Sequence, residues 1–287
     1  SNSSWYLNHY RSLLIEELTN KKLKPIVMAP YDNSSIDLTS KVVYIPWRIS
    51  RKNNFNLIQL IVSFLRLFLL IRALKPRIIH SHTVKPNLLA SIISSLFGIP
   101  LVLSFAGLGR LSTMSKNKRN ILKIILRCIA FFSIRQRFSR WIWKENSKRT
   151  FMIFQNPEDL LLFKNLVGRK SKLLNYKLIY GSGVPEIYLN SKKNIVLEKD
   201  MIDLKSINII FCARLLKSKG IDIFINLAKE FPDLRFNIYG NRDESSKDSL
   251  SQREIKDTLK IKNLIYHGYK KNPLLNHLDT PALLLVP

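Results

Sequence analysis

Acidic residues are missing from 107 consecutive positions, 38–144, which carry 19 Lys or Arg, eleven of them Arg. Sixteen of the 20 acids lie at Glu145 or later, so the net charge of +27 belongs mainly to the first half. Such an imbalance calls for an anionic partner: nucleic acid, a phospholipid surface or a phosphorylated substrate. An Ile-, Asn- and Lys-rich composition that drifts basic accounts for the lysines without any partner, but explains eleven arginines less well. Cysteine is scarce too. Cys128 and Cys212 lie 84 positions apart in apolar runs, which excludes a disulfide framework and metal-ligand spacing and points to a reducing cytosol. No signal peptide is visible at Ser1, and no run reads as spanning a membrane. The nearest, Leu57–Leu74, has Arg66 at its centre, where insertion costs roughly 2.5 to 3.5 kcal/mol. Gln59, Ser63 and Arg66 recur at helical spacing as one polar stripe, so this is read as a packed or interfacial helix.

What is present suffices for two domains. The 287 residues are 46% hydrophobic, enough to bury sizeable cores. Short β-branched runs alternate with longer helical periods, the pattern of an α/β protein with parallel sheets covered by helices. Strands are predicted at 24–28, 42–45, 77–81, 101–105, 151–155, 177–180, 207–212, 235–239, 264–267 and 282–286, with helices in most gaps. A Gly-Ser-Gly-Val-Pro turn at 181–185 and the polar stretch that follows mark a boundary. Residues 1–182 and 183–287 are therefore expected as two domains facing a cleft. The chain opens into a helix with no preceding strand and stops as a strand ends, so segments are expected to be missing at both ends, the second domain being incomplete.

Three segments carry chemistry. His80-Ser81-His82-Thr83-Val84-Lys85-Pro86-Asn87 leaves a strand and opens a helix, with Pro86 in the first turn, Thr83 or Ser81 as cap, and Lys85 beside exposed N–H groups. That makes an anion site at a helix N-terminus, or a structural cap with a solvated lysine. His80 and His82 are read as alternating on the strand end, so at most one need face the cleft. Ala106-Gly107-Leu108-Gly109 follows the next strand; its paired glycines let N–H groups approach a ligand, but it lacks the third glycine of a dinucleotide fingerprint. Arg214-Leu215-Leu216-Lys217-Ser218-Lys219-Gly220 places an arginine at a strand end and a lysine five residues on, beside a glycine and a new helix. Two such cations can grip a diphosphate, whereas the alternative is a surface turn with solvated bases. No Asp-x-Asp motif indicates a metal requirement.

Together with Phe154-Gln-Asn-Pro-Glu-Asp, Gly181-Ser-Gly-Val, Gly240 and His267-Gly-Tyr, these motifs come in an order that resembles the retaining GT-B glycosyltransferases of family 4. The likeness covers nearly the whole chain. It is closest to the branch that moves a hexose or N-acetylhexosamine from a UDP-sugar to glycans on undecaprenyl diphosphate, in O-antigen, capsule or glycoprotein assembly. The resemblance implies two Rossmann-like domains, with Arg214 and Lys219 as the catalytic pair on the donor diphosphate. Gly240, Gly268 and Tyr269 match donor loops. Ser3, Ser4, Trp5, His82, Thr83, Lys85, Gly107 and Gly109 would face the acceptor. Ala106 stands where the family often has a histidine, and the chain stops before the family's Glu-x7-Glu donor segment. A UDP-sugar is the implied donor, a polyprenyl-diphosphate glycan the acceptor, and no metal or other cofactor is expected.

The stretch 116–144 bears on location. Arg119, Lys123 and Arg127 are placed on one helical face and Ile121, Ile125, Cys128 and Phe132 on the other, with Trp141 and Trp143 beyond. This suits a helix on anionic lipid, and equally a domain helix with a solvated basic face. The expected setting is cytoplasmic and peripheral on the inner face of the plasma membrane. Nucleic acid is not expected as a partner, because the aromatics sit among apolar residues rather than on a stacking platform. A function of another class, a non-catalytic phosphate- or membrane-binding protein on the same fold, stays open.

Overall fold

The computed structural model describes residues 1–32, 37–38, 40, 42–49, 57–108, 115–137, 143–145, 149–181, 183, 206–243, 246, 248–270, 273, 277 and 281–285. The chain divides into two compact units, Ser1–Leu189 and Asn190–Pro287.

In the first unit, helices α1 (Ser4–Tyr10) and α2 (Ser12–Asn20) precede β1 (Ile26–Ala29), which pairs in parallel with β2 (Val43–Pro46). Then come α3 (Leu57–Leu74), β3 (Ile79–His82), α4 (Val84–Phe97), β4 (Leu101–Phe105) and α5 (Lys116–Ile134). After a short antiparallel pair, β5 (Arg135–Arg137) and β6 (Trp143–Glu145), the unit closes with β7 (Thr150–Phe154), α6 (Pro157–Val167), a 3-10 turn (Gly168–Leu173) and β8 (Asn175–Leu178). Its main sheet is parallel, in the order β3-β4-β7-β8.

Leu101, Leu103 and Phe105 of β4 alternate onto one face with Met152 and Phe154 of β7, all at most 1% exposed. Helices α5 and α6 cover that face with Leu122, Ile125, Leu126, Ile129, Phe163 and Leu166. The Phe105 and Phe154 rings stack 4.7 Å apart at 7°, and Phe163 tilts against both. Full burial of each such side chain contributes about 1.5 to 3 kcal/mol. A further cluster joins Trp47, Ile49, Leu67, Ile71, Leu89 and Ile93, so α3 and α4 are fastened together through their apolar stripes.

The second unit is a four-stranded parallel sheet, β11-β10-β9-β12, built from β9 (Asn208–Cys212), β10 (Arg235–Tyr239), β11 (Leu264–Tyr266) and β12 (Ala282–Leu284). A 3-10 turn (Lys217–Lys219) and α7 (Ile221–Glu230) follow β9, and α8 (Gln252–Thr258) precedes β11. Phe211, Phe236, Ile238 and Leu264 face Ile221, Phe224 and Ile225 of α7. A capping box at Ser251 and Glu254 starts α8.

All ten expected strands are present, with ends that coincide or are displaced by at most two residues; the expected last position, 286, lies outside the described residues. Two corrections concern helices, and a further finding is where one of them ends. Helix α5 stops at Ile134, and the next residues turn into β5. Hydroxyls from elsewhere in the unit satisfy its last carbonyls: Thr150 Oγ1 donates to Ser133 O at 3.1 Å, and Ser95 Oγ to Arg135 O at 2.6 Å. The apolar face expected for α5 is also rotated: Ile125 is core, but Ile121 is exposed and Leu122, Leu126 and Ile129 take the inner positions. On α3, Ser63 is not part of an outward polar stripe. It is buried, its Oγ donates to Arg48 O at 2.8 Å, and its carbonyl accepts Trp47 Nε1 at 3.1 Å.

The aromatic stack gives a direct test. Phe154→Ala should cost about 3 to 5 kcal/mol of stability in denaturant unfolding, whereas Phe151→Ala on the same strand, 51% exposed, should cost under about 1 kcal/mol.

Candidate functional site

In a parallel sheet ligands meet the carboxyl ends of the strands, and in each unit the sequence-predicted residues gather there. In the second unit Ala213 N donates to Tyr239 O at 3.1 Å and Leu215 N to Asn241 O at 3.1 Å, so the chain leaving β9 runs beside the chain leaving β10. Between these bonds lies Gly240, with φ +149°; a Cβ there would come 1.8 Å from the Ala213 carbonyl oxygen. Gly240 is required by close backbone approach as well as by its conformation. Its N–H donates to Gly268 O at 2.9 Å, and Tyr266 Oη donates to Gly240 O at 3.0 Å. The structure thus brings Arg214, Gly240 and Gly268 to one edge, with Tyr269 half-exposed beside Gly268.

Arg214 is half-exposed, and its Nη1 donates to Asp243 Oδ2 at 2.6 Å in an ion pair. Lys219 ends the 3-10 turn, is exposed, and leads through Gly220, in the left-handed conformation, into α7. Lys217 instead forms a surface ion pair with Glu254 at 2.9 Å. The Ser251 backbone N–H, with Lys217 adding to it, holds the Glu254 carboxyl at about 2, below its usual range. Asp248 Oδ2 accepts the Ser218 N–H at 2.9 Å, and the Ser218 side chain, followed by that N–H, lowers the Asp248 carboxyl below its ordinary value. Asp243 and Asp248 therefore brace the 214–219 loop. No local pattern in the sequence marks this role, because the braces span 29 and 30 residues. Among the described residues no three His, Cys, Asp or Glu side chains converge as a metal site would require.

In the first unit the end of β3 meets the start of the chain. Thr83 Oγ1 donates to Asn2 Oδ1 at 3.0 Å, and the rings of Tyr6 and His82 lie 5.7 Å apart. Ser3 caps α1, accepting Tyr6 N–H at 3.2 Å, while Ser4 is buried with its Oγ donating to Pro30 O. Trp5 stacks on His9 at 4.3 Å. Thr83 does not cap α4: its φ of 72° and ψ of 159° turn the hydroxyl towards Asn2. That backbone is strained for a β-branched residue, at a cost of roughly 1 to 3 kcal/mol. Thr83 N donating to Ser104 O at 3.1 Å and Asn87 N to Thr83 O at 2.9 Å hold it in place.

His80 and His82 share one face, rings 4.3 Å apart, as positions i and i+2 of a strand must. The expectation that the two alternate is corrected. His80 Nε2 meets Ser104 Oγ at 2.8 Å. His82 is buried, its Nδ1 and the Asn87 Oδ1 lack hydrogen-bond partners among the described residues, and burial pushes its pKa well below the ordinary value. Partial burial likewise lowers the Lys85 ammonium.

Gly107, at φ +115°, has open space where a Cβ would stand. The neighbouring Leu108 N–H donates to the buried Asp159 Oδ1 at 3.1 Å, so the last residue of the Phe154-Gln-Asn-Pro-Glu-Asp motif anchors the glycine loop. Asn156 caps the helix that carries Asp159. Gly109 lies outside the described residues.

The fold and these strand-end loops define a class, the two-unit GT-B architecture. Residues 1–136 match a family described as "Glycosyl transferase 4-like". A glycosyltransferase from Rickettsia africae superposes with a TM-score of 0.63 at 12% identity, covering 98% of this chain and 69% of that one. Anabaena HepE in complex with UDP superposes at 0.59 and 16% identity, with 94% and 68% covered. The lipopolysaccharide outer core galactosyltransferase WaaB superposes at 0.58 and 14%, with 100% and 72% covered. No curated protein matches the chain.

Two measurements probe these loops. Gly240→Ala should destabilise the second unit by about 2 to 4 kcal/mol, since strain and a backbone clash combine, whereas Gly268→Ala, with open space at φ +66°, should cost about 1 kcal/mol. Equal losses in urea titrations would contradict the close-approach argument. For His82, the depressed folded pKa means that the unfolded chain takes up the proton first as pH falls below 6.5. Its contribution is thus full above that value and declines below it. The unfolding midpoint should fall more steeply from neutral to acid pH in the parent protein than in His82→Gln.

Proposed function

We propose that this protein is a glycosyltransferase that moves a hexosyl or N-acetylhexosaminyl group from a UDP-sugar to a polyprenyl-diphosphate-linked glycan, with retention of anomeric configuration. The observation that carries the reading is the exposed pair Arg214 and Lys219 on the loop that leaves β9, locked against Gly240 and Gly268 at the strand ends. The family match over residues 1–136 supports it, as do the complexes of HepE with UDP and with UDP-glucose. As the bond between the anomeric carbon and the phosphate oxygen breaks, negative charge grows on the β-phosphate, and two fixed cations stabilise it. Asp243 occupies Nη1 of Arg214, which orients the fork and leaves its other donors for phosphate oxygens. In the retaining course the acceptor hydroxyl approaches on the face the phosphate leaves, and its proton passes to that phosphate. The reading gives charge neutralisation to these side chains rather than to a bound cation.

The acceptor is assigned to the first unit, at Ser3, Trp5, His82, Thr83, Lys85 and the Gly107 loop; Ser4, expected there from sequence, is fully buried with its hydroxyl on Pro30 O and supports the segment from beneath. There the unsatisfied His82 Nδ1 and Asn87 Oδ1 mark polar demand worth roughly 1 to 3 kcal/mol each. A lipid diphosphate suits the basic composition of that unit, and the cytoplasmic face of the plasma membrane is where it would meet a nucleotide sugar.

Calorimetry with UDP and uridine tests the donor half. UDP should bind at least about tenfold more tightly than uridine, and Arg214→Ala or Lys219→Ala should each remove about tenfold or more. Lys217→Ala, whose ammonium is held by Glu254 on the surface, should change little. Equal losses from all three would replace the clamp with general electrostatics. Transfer of labelled sugar from UDP-sugars to polyprenyl-diphosphate glycans tests the reaction itself; UDP binding without transfer would favour a non-catalytic protein.

A further inference from the structure

Helix α3 presents an apolar face to the outside. Ser63, Leu67 and Ile71 are buried, the two apolar ones in the cluster with Trp47 and Leu89, while Ile58, Ile61, Val62, Leu65 and Leu69 are 49 to 74% exposed. These five recur at i, i+3, i+4, i+7 and i+11, a stripe about 16 Å long on the side opposite the buried residues. At 100° per residue, Arg66 flanks the stripe on one side, while Arg72 falls on the stripe's own line one turn beyond Leu65 and Leu69; both are exposed, and exposed Lys75 and Arg77 follow the helix.

We propose that this stripe docks the protein on a bilayer surface rich in anionic lipid, with α3 lying in the interface plane. The docking element is therefore α3 and not α5, whose apolar residues Leu122, Ile125, Leu126 and Ile129 belong to the core under the sheet. The charge on the page selects the occupant. A second copy packed face to face would set arginines against arginines, and positions 38–144 hold no acidic residue to compensate. An anionic membrane offers hydrocarbon to the stripe and phosphates to the flanking guanidinium groups, with the arginine stems covering the boundary. By length and composition the helix is also able to cross a membrane. Crossing would tear Leu67 and Ile71 from their cluster and break the bonds of Ser63 with Trp47 and Arg48, so the helix lies on the surface. The inference rests on the membrane-side setting proposed above, and its test is separable because the residues proposed to hold UDP, Arg214 and Lys219, lie in the Asn190–Pro287 unit and α3 in the other.

The experiment is co-sedimentation of the full chain with vesicles of phosphatidylcholine alone and of phosphatidylcholine with phosphatidylglycerol in equal parts, at low and high salt. Binding is expected to the mixed vesicles and to weaken with salt. Leu65→Gln with Leu69→Gln, and separately Arg66→Glu with Arg72→Glu, should each weaken it by about tenfold or more. Both pairs are exposed, so circular dichroism, Trp47 fluorescence and UDP affinity should stay at parent values. Ile124→Gln, exposed on α5, should leave vesicle binding unchanged. Any one of four results overturns the proposal: parent-like binding by both α3 variants, binding indifferent to phosphatidylglycerol, a dimer in sedimentation that the leucine variant dissociates, or retention in the membrane after alkaline carbonate extraction. Loss of UDP binding with vesicle binding intact would overturn the donor reading and leave this one standing.

Discussion

Parallel strands have to be covered on both faces, because their connections return over the sheet as helices, and this constraint organises each unit. In the first unit it sets Leu103, Phe105, Met152 and Phe154 under α5 and α6, with α3 and α4 joined in a separate cluster that reaches Ile79 of β3. In the second it sets Phe211, Phe236 and Ile238 under α7. Once strands run one way, their carboxyl ends share an edge, and residues far apart in the chain arrive together. Arg214, Gly240 and Gly268 meet for that reason, as do His82, Thr83 and the Gly107 loop with its anchor Asp159.

Polar groups do the finer placement. Ser104 accepts Thr83 N–H and Asn87 Nδ2 at its carbonyl and meets His80 at its hydroxyl, so one residue of β4 sets the geometry where β3 passes into α4. In the second unit Asp243 and Asp248 hold the loop that carries the two cations. Each is a short side chain that is cheap to place only because the backbone beneath it is already fixed by strand pairing. The exposed face of α3 belongs to the same logic from the other side. A helix with one face in the core and large aliphatic side chains on the other leaves about half of its apolar surface without cover, and soluble proteins seldom leave such a patch without a use.

Strand positions were readable from sequence because alternation and β-branched runs are local signals; 101–105 and 235–239 coincide with the strands found. The glycines of the strand-end loops were readable as well, since a left-handed or crowded turn selects that residue, as at Gly240. The end of α5 was not. Its apolar period continues towards the tryptophans, and what stops it is a pair of hydroxyls, from Ser95 and Thr150, that only the tertiary structure delivers. The same holds for Ser63, which a helical wheel places with Gln59 and Arg66 but which a neighbouring carbonyl draws inward.

By itself, then, the sequence determined the α/β class, the order of the strands along the chain, the concentration of positive charge in the first half and the placing of two basic residues, Arg214 and Lys219, on the loop after β9. Each of these is a property of neighbours in the chain or of composition. Tertiary structure alone decided which apolar face of each helix is core, that Gly240 is demanded by the Ala213 carbonyl, that Thr83 bonds Asn2 rather than capping α4, and that Asp243 holds Arg214. Those outcomes depend on contacts between segments tens of residues apart, and such contacts exist only after the sheets have closed the distance.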